Sequence, residues 1–183
     1  HTHSAKHPLM HQRLLRMDRL AHRILLHLMK EADATGKEFI FILMGDHGMT
    51  DDGNHGGGTV QETETIFYIF STRGFTNNTK VEMKEKAGIE RHPRLIRQLD
   101  IVPTISLLLG LPIPYSNLGK VIPEVFVRFG KLEDALEWNA QQVSTYLSSF
   151  GPDLNPPRNE DGNAWQYLDR VMEWAYHEWT VFN

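Results

Sequence analysis

The sequence predicts an α/β fold in which a largely parallel sheet is sandwiched by helices. Two short, continuous apolar runs at 38–44 and 65–71 are rich in β-branched and aromatic residues, so each predicts a strand buried on both faces. Helical periodicity precedes the first run and follows the second, and this alternation is typical of α/β sandwiches. We therefore expect the two runs to be neighbouring central strands with helices packed on the sheet.

The first helix is predicted over 8–34. Pro8 suits the first turn of a helix, and apolar residues then recur every three or four positions, as they do on one face of a helix. Gly36 is expected to end this helix. Two further amphipathic patterns, at 131–149 and 162–180, predict a pair of helices near the end of the chain.

Another helix is predicted over 98–110, after the second strand. Asp100 is expected to act as its N-cap, because a short acidic side chain there can accept a hydrogen bond from a free backbone N–H. Pro103 should then lie in the first turn, and Gly110 should end the helix.

Composition excludes several classes of function. The 183 residues include 19 basic and 23 acidic side chains, and the net charge of −4 leaves no basic surface for nucleic acid and no polybasic membrane patch. The absence of cysteine excludes a disulfide framework and thiolate metal sites. No apolar run reaches the roughly 18 residues of a membrane-spanning helix. The abrupt start, HTHSAKHP, leads us to expect a piece of a longer protein.

A glycine-rich segment, LMGDHGMTDDGNHGG at 43–57, follows the first predicted strand. Ligands bind beyond the carboxyl ends of strands in open α/β sheets, and Asp46 and His47 leave the strand at such an end. A carboxylate oxygen and an imidazole nitrogen both suit zinc. The glycines permit unusual dihedral angles, so the chain could bring His55 back to the same place. The alternative interpretation is a mobile turn with surface histidines.

Four stretches together resemble the GPI ethanolamine phosphate transferases of the alkaline phosphatase superfamily. They are GDHGM with GNHGG, HTHSAKHP with the following RMDRLAHRI helix, QLDIVPTISLLLGLPIPYSNLGKVIPEVF, and NAQQVSTYL. The resemblance runs from residue 1 to about residue 150. It implies an alkaline phosphatase-like catalytic domain, of which 1–130 would be the C-terminal part. Residues 131–183 would be a helical extension that leads toward a membrane region.

In that family two zinc ions flank the phosphorus atom. The resemblance assigns Asp46 and His47 to one ion, and His55 together with His1 to the other. It places the nucleophilic threonine, and one further aspartate for each ion, upstream of His1. We therefore expect no catalytic nucleophile within these 183 residues, and no turnover by this piece alone.

The resemblance also implies a reaction and a location. The reaction is transfer of ethanolamine phosphate from phosphatidylethanolamine to a mannose of the GPI anchor precursor, and the GNHGG and NAQQVS forms favour the third mannose. The domain would face the lumen of the endoplasmic reticulum, in a membrane-embedded protein stabilised by a small membrane subunit. A sequon at Asn77, within a polar stretch at 73–90, suits a glycosylated lumenal loop.

Two other interpretations stay open at this point. Another phosphodiesterase or phosphotransferase of the same superfamily would share the metal ligands and differ in its acceptor. A non-catalytic lumenal module would keep the fold for binding, but it would have no need to retain Asp46, His47 and His55. Zinc content and transfer assays with defined mannose acceptors would separate these interpretations.

Overall fold

The structure, a computed structural model, describes residues 6–72, 74, 94–127, 129–150 and 155–179. The chain divides into two compact units, His1–Phe75 and Thr76–Asn183. The predicted boundary between residues 130 and 131 concerns the organisation of a longer protein and stays a prediction. The glycosylation predicted at Asn77 lies outside the described residues.

The first unit contains two helices and two strands in the order α1 (Pro8–Thr35), β1 (Ile40–Met44), α2 (Val60–Thr63) and β2 (Phe67–Ser71). The predicted long helix and both predicted strands are confirmed, so the mixed helix and strand class is correct. Gly36 ends α1 as predicted, with φ at 67° and its N–H donating to the carbonyl of Ala32. Glycine suits this position because the left-handed conformation strains residues that carry a Cβ.

The two strands pair antiparallel, so the prediction of a largely parallel sheet is wrong for the described residues. Ile40 lies opposite Ser71 and Met44 opposite Phe67 in a two-stranded sheet. Parallel strands need a crossover that carries the chain back along the sheet, usually a helix. The four residues of α2 span only about 6 Å, against about 17 Å for a five-residue strand. The connection therefore reverses the chain instead of crossing over.

The predicted burial of both strands on both faces is also wrong within the described part of the first unit. Leu43, Met44 and Tyr68 are exposed, and the remaining strand residues other than Ser71 are half-buried. The helix α1 has no buried residue, and its C-terminal end shares a groove with Phe70 and Thr72. A 28-residue helix is about 42 Å long, so a sheet of two five-residue strands is too short to cover it.

The second unit is helical, with α3 (Gln98–Leu108), α4 (Pro123–Val127), α5 (Leu132–Leu147) and α6 (Ala164–Trp179). The predicted helices at 98–110, 131–149 and 162–180 are confirmed, and the short α4 was not predicted. All buried apolar side chains of the described residues lie in this unit, mostly between α5 and α6. Its core therefore rests on two amphipathic helices packed against each other. No helix in the described ranges combines the length and apolarity needed to cross a bilayer.

The start of α3 differs from the prediction by one turn. Arg97 is the N-cap, and Asp100 occupies the third helical position. From there the Asp100 carboxylate accepts hydrogen bonds from the backbone N–H of Arg97 at 3.1 Å and of Lys120 at 2.9 Å. Asp100 therefore satisfies the helix start from inside the first turn, and it also fixes the 117–121 segment.

Pro103 lies inside α3, past the first turn where it was expected. A proline has no N–H, so the carbonyl of Leu99 four residues earlier lacks its helical partner. Asn117 Nδ2 donates to this carbonyl at 3.3 Å, and the backbone of Gly119 approaches so closely that a Cβ there would lie 2.0 Å from the same oxygen. Because of the proline, the carbonyl of Leu99 is free for contacts with the SNLG segment at 116–119.

Asn139 of α5, in the NAQQVS stretch, is fully buried and braces the same segment. Its Oδ1 accepts from the N–H of Val121 at 2.9 Å, and its Nδ2 donates to the carbonyl of Gly119 at 3.1 Å. Gln142, one turn later, donates to the carbonyls of Tyr115 and Asn117. The polar residues of this stretch therefore act on packing in the second unit.

Replacing Asn139 with alanine should lower the free energy of unfolding by about 2–4 kcal/mol, because two buried backbone groups lose their partners at about 1–2 kcal/mol each. Chemical denaturation of the full-length protein checks this value. Gln141→Ala, at the exposed neighbour on α5, should stay within about 0.5 kcal/mol of wild type. Equal effects of the two substitutions would show that the Asn139 bridge is not stabilising.

Candidate metal site

The candidate site lies in the connection between β1 and β2. The backbone N–H of Gly45 donates to the carbonyl of Ile66 at 3.0 Å, and this bond extends the strand pairing by one residue. Asp46 follows Gly45 directly. The chain then runs through the glycine-rich segment to α2 before it enters β2. The predicted position at the carboxyl end of the first strand is therefore confirmed, although the sheet is antiparallel.

Gly48 packs directly on the backbone of the short helix α2. Its N–H donates to the carbonyl of Glu62 at 2.9 Å. A Cβ on Gly48 would lie 2.1 Å from the carbonyl oxygen of Gln61 and 2.4 Å from that of Glu64. Because both neighbours are backbone atoms, only glycine fits here. This contact fixes the position of the adjacent His47.

A tight turn at 50–54 reverses the chain between the two histidines. The N–H of Thr50 donates to the carbonyl of Asn54 at 3.0 Å, and that of Gly53 donates to the carbonyl of Thr50 at 3.0 Å. Gly53 has φ at 91°, a conformation that favours glycine. The Thr50 hydroxyl donates to the Asp52 carboxylate, and this bond holds the pKa of Asp52 below its usual value. The turn therefore brings His55 next to His47.

The rings of His47 and His55 lie face to face, with centroids 5.3 Å apart and planes inclined by 2°. The Nδ1 of His47 is 2.8 Å from the carbonyl of Gly48, and that of His55 is 3.2 Å from the carbonyl of Gly53. A carbonyl only accepts, so each Nδ1 must carry the proton. In the neutral imidazole, each Nε2 is then left with a lone pair that can bind a metal. A histidine that binds a metal through one ring nitrogen usually donates a hydrogen bond from the other, for example to a backbone carbonyl.

Asp46 adds a carboxylate beside the ring of His47. Its Oδ2 lies 3.7 Å from His47 Nε2, and its Oδ1 accepts from the N–H of His47 at 3.1 Å. The side chain of Asp46 is 88% exposed and that of His47 is 47% exposed, so both can be reached from outside. Two imidazole nitrogens and a carboxylate oxygen are a donor set that suits zinc.

The structure thus brings together three of the four predicted metal ligands, Asp46, His47 and His55; the fourth, His1, lies outside the described residues. In the part of the chain that the structure describes, no three histidine, aspartate or glutamate side chains surround one point closely enough to hold an ion. The stacked rings therefore place two imidazoles side by side in one loop.

The N-terminal segment is attached to the same loop. Lys6 Nζ forms an ion pair with the Asp51 carboxylate in the turn between the two histidines. His7, which follows, accepts a hydrogen bond from the N–H of Leu9 through its Nδ1 and so caps α1. The remaining described histidines of the first unit, His11, His22 and His27, are exposed on α1. They lie on a different element from the stacked pair.

The hydrogen bonds that Glu62 makes beside the site were not predicted from the sequence. The Glu62 carboxylate is buried, with 8% of the residue exposed, and it accepts from Gly57 N (3.2 Å), Thr59 N (3.3 Å) and Thr59 Oγ1 (2.7 Å). The hydrogen bond from the Thr59 hydroxyl is the main cause that holds the pKa of Glu62 below its usual value. The T-x-x-E spacing of a capping box was the available signal.

Comparison with known proteins places the chain among relatives of one kind. It is 34% identical over 172 residues to GPI ethanolamine phosphate transferase 3 of Schizosaccharomyces pombe, which covers 91% of this chain and 17% of the relative. The catalytic subunit of the human type 3 transferase is 32% identical over 159 residues, covering 82% of this chain and 13% of the relative. A type 2 transferase of Aspergillus fumigatus is 34% identical over 142 residues, 73% of this chain and 18% of the relative.

No protein-family model and no solved structure matches the chain. The chain spans between 13% and 18% of the length of the relatives named above. The stretch matched in the S. pombe protein covers 91% of the chain, so it necessarily includes the segment from Asp46 to His55. The relatedness therefore extends across both units and through the loop that carries the stacked histidines, and the chain belongs to the family of GPI ethanolamine phosphate transferases.

Proposed function

We propose that the protein containing this chain transfers ethanolamine phosphate from phosphatidylethanolamine to the third mannose of the GPI anchor precursor. The observation that carries the proposal is the stacked pair of His47 and His55, each with Nδ1 beside a backbone carbonyl, within a segment matched to a type 3 transferase. In the overall reaction a phosphorus–oxygen bond to diacylglycerol breaks, and one to the mannose hydroxyl forms. The hydroxyl proton ends on the released diacylglycerol.

Within this chain, the proposed role of the site is to hold two zinc ions. Asp46 and His47 would bind one ion, and His55 would bind the other, together with His1 and groups that precede it. When bound, the ions would supply positive charge for the phosphate oxygens and for the attacking and leaving oxygens. The carbonyls of Gly48 and Gly53 keep the two imidazoles in the tautomer that exposes Nε2.

The wider context of the chain follows from the same proposal. The antiparallel pair β1–β2 would be one part of an alkaline phosphatase-like sheet completed by strands outside the described residues. The domain would face the lumen of the endoplasmic reticulum in a membrane-embedded protein. The human type 3 relative is named a catalytic subunit, and this supports a second, stabilising membrane subunit here as well.

Transfer to defined acceptors tests this proposal. The full-length protein should restore ethanolamine phosphate on the third mannose in microsomes that lack the native type 3 enzyme, as measured by mass spectrometry of the GPI precursors. Modification of the second mannose instead would assign the protein to type 2, since type 2 transferases are also among its relatives. Hydrolysis without transfer would assign it to another phosphodiesterase class.

A further inference from the structure

We propose that Glu62 is a positioning residue that holds His55 in its metal-binding place; this inference rests on the function proposed above. Glu62 is a buried carboxylate beside a loop that is otherwise exposed, since the residues from His55 to Val60 are all exposed. Burial of an ionised carboxylate is costly unless hydrogen bonds compensate for it. Such a group is therefore expected to have a specific role in the loop.

The Glu62 side chain acts on the part of the loop that follows His55. It accepts from the N–H of Gly57, two residues after His55, and from both the N–H and the hydroxyl of Thr59. Gly57 lies so close that a Cβ there would be 2.6 Å from Glu62 Oε2. The carboxylate thus ties three donors of the 57–59 segment to the first turn of α2.

The backbone of Glu62 acts on the other side of the site. Its carbonyl accepts from the N–H of Gly48, the residue after His47. A change in the side chain leaves this backbone bond available, so its effect should be selective. We therefore expect loss of the Glu62 carboxylate to release His55 while His47 keeps its position.

Metal titration of the full-length protein tests this selectivity. Cobalt(II) replaces zinc and gives an absorption spectrum that reports the ligands of each ion as two equivalents are added. In Glu62→Ala, one of the two ions should bind about 10–100-fold more weakly, the usual cost of losing a group that orients a metal ligand. Glu62→Gln can still accept one hydrogen bond but presents an amide NH₂ to the other donors, so its effect should be smaller.

Glu64→Gln is the matched control, since this carboxylate lies two residues away and is exposed; both ions should bind as in wild type. Wild-type affinity for both ions in Glu62→Ala and Glu62→Gln would overturn the proposal, and so would equal weakening of both ions. If Glu62→Ala does not fold, the Gln variant decides the question by the same criterion. If the wild-type protein transfers ethanolamine phosphate but binds one ion, the role of Glu62 is overturned and the proposed transfer activity stands. If it binds two ions without transfer, and Glu62→Ala weakens one of them selectively, the role of Glu62 stands and the proposed transfer activity is overturned.

Discussion

Replacing His47 or His55 with alanine in the full-length protein is expected to lower ethanolamine phosphate transfer by at least about 10³-fold. Each proposed ion would supply several kcal/mol of charge stabilisation in the transition state, and each 1.36 kcal/mol is about tenfold in rate. Each substitution removes one imidazole from the stacked pair. Asp46→Ala should act like His47→Ala, because both residues are assigned to the same ion. Transfer by microsomes that lack the native enzyme measures the loss.

His22→Ala is the control for this experiment. His22 is exposed on α1, on a different element from the stacked pair, and its removal should leave transfer within a few-fold of wild type. Near-normal transfer by His47→Ala or His55→Ala would mean that the glycine-rich segment is only a turn. The metal assignment would then be wrong.

Replacing Gly48 with alanine should lower transfer by at least about 10²-fold without removing any metal ligand. The new Cβ would lie 2.1 Å and 2.4 Å from two backbone carbonyl oxygens of the α2 segment, so the loop and the helix must separate. His47 is the preceding residue and would move with the loop. Displacement of a catalytic group by about 1 Å can cost about 10²-fold in rate.

Gly58→Ala provides a matched control for Gly48→Ala. Gly58 belongs to the same loop, but a Cβ there would meet no atom within 4 Å, and its φ is not in the left-handed region. Transfer by this variant should remain close to wild type, as measured in the same microsomal assay at equal protein amount. If both alanine variants were equally active, the close packing of Gly48 on α2 would have no role in placing His47.

Local patterns were enough to predict most elements and the proximity of the three candidate ligands Asp46, His47 and His55. The apolar periodicity predicted α1, and Gly36 ends this helix as expected. The position of Asp46 and His47 directly after a strand, with glycines on both sides of His55, predicted that they lie together. These inferences succeeded because each depends on residues close together in sequence.

The direction of strand pairing could not be predicted in the same way. It depends on whether the connection between the strands contains a helix long enough to cross the sheet, and α2 has only four residues. Burial of the strands failed for a related reason, because periodicity indicates which side chains are apolar and not what covers them. Asp100 was predicted to be the N-cap of α3 but lies at the third helical position, because an acidic residue suits both positions.

The hydrogen bonds and burial of Glu62 could not be predicted, because sequence spacing does not show which backbone groups its carboxylate reaches. The T-x-x-E pattern from Thr59 predicts a helix start, which is present. It does not predict that the same carboxylate also accepts from Gly57 or that it is buried. Conversely, the NAQQVS stretch supported the resemblance to the transferases, and in the structure Asn139 braces the backbone of the second unit.

Zinc content tests the central claim most directly, namely that the β1–β2 connection supplies a ligand to each of two ions. Elemental analysis of the purified full-length protein should find two zinc ions per molecule in wild type and in His22→Ala. It should find one ion in His47→Ala and one in His55→Ala, because each substitution empties a different position. Wild-type zinc content in both single variants, or a wild-type protein without zinc, would contradict the account.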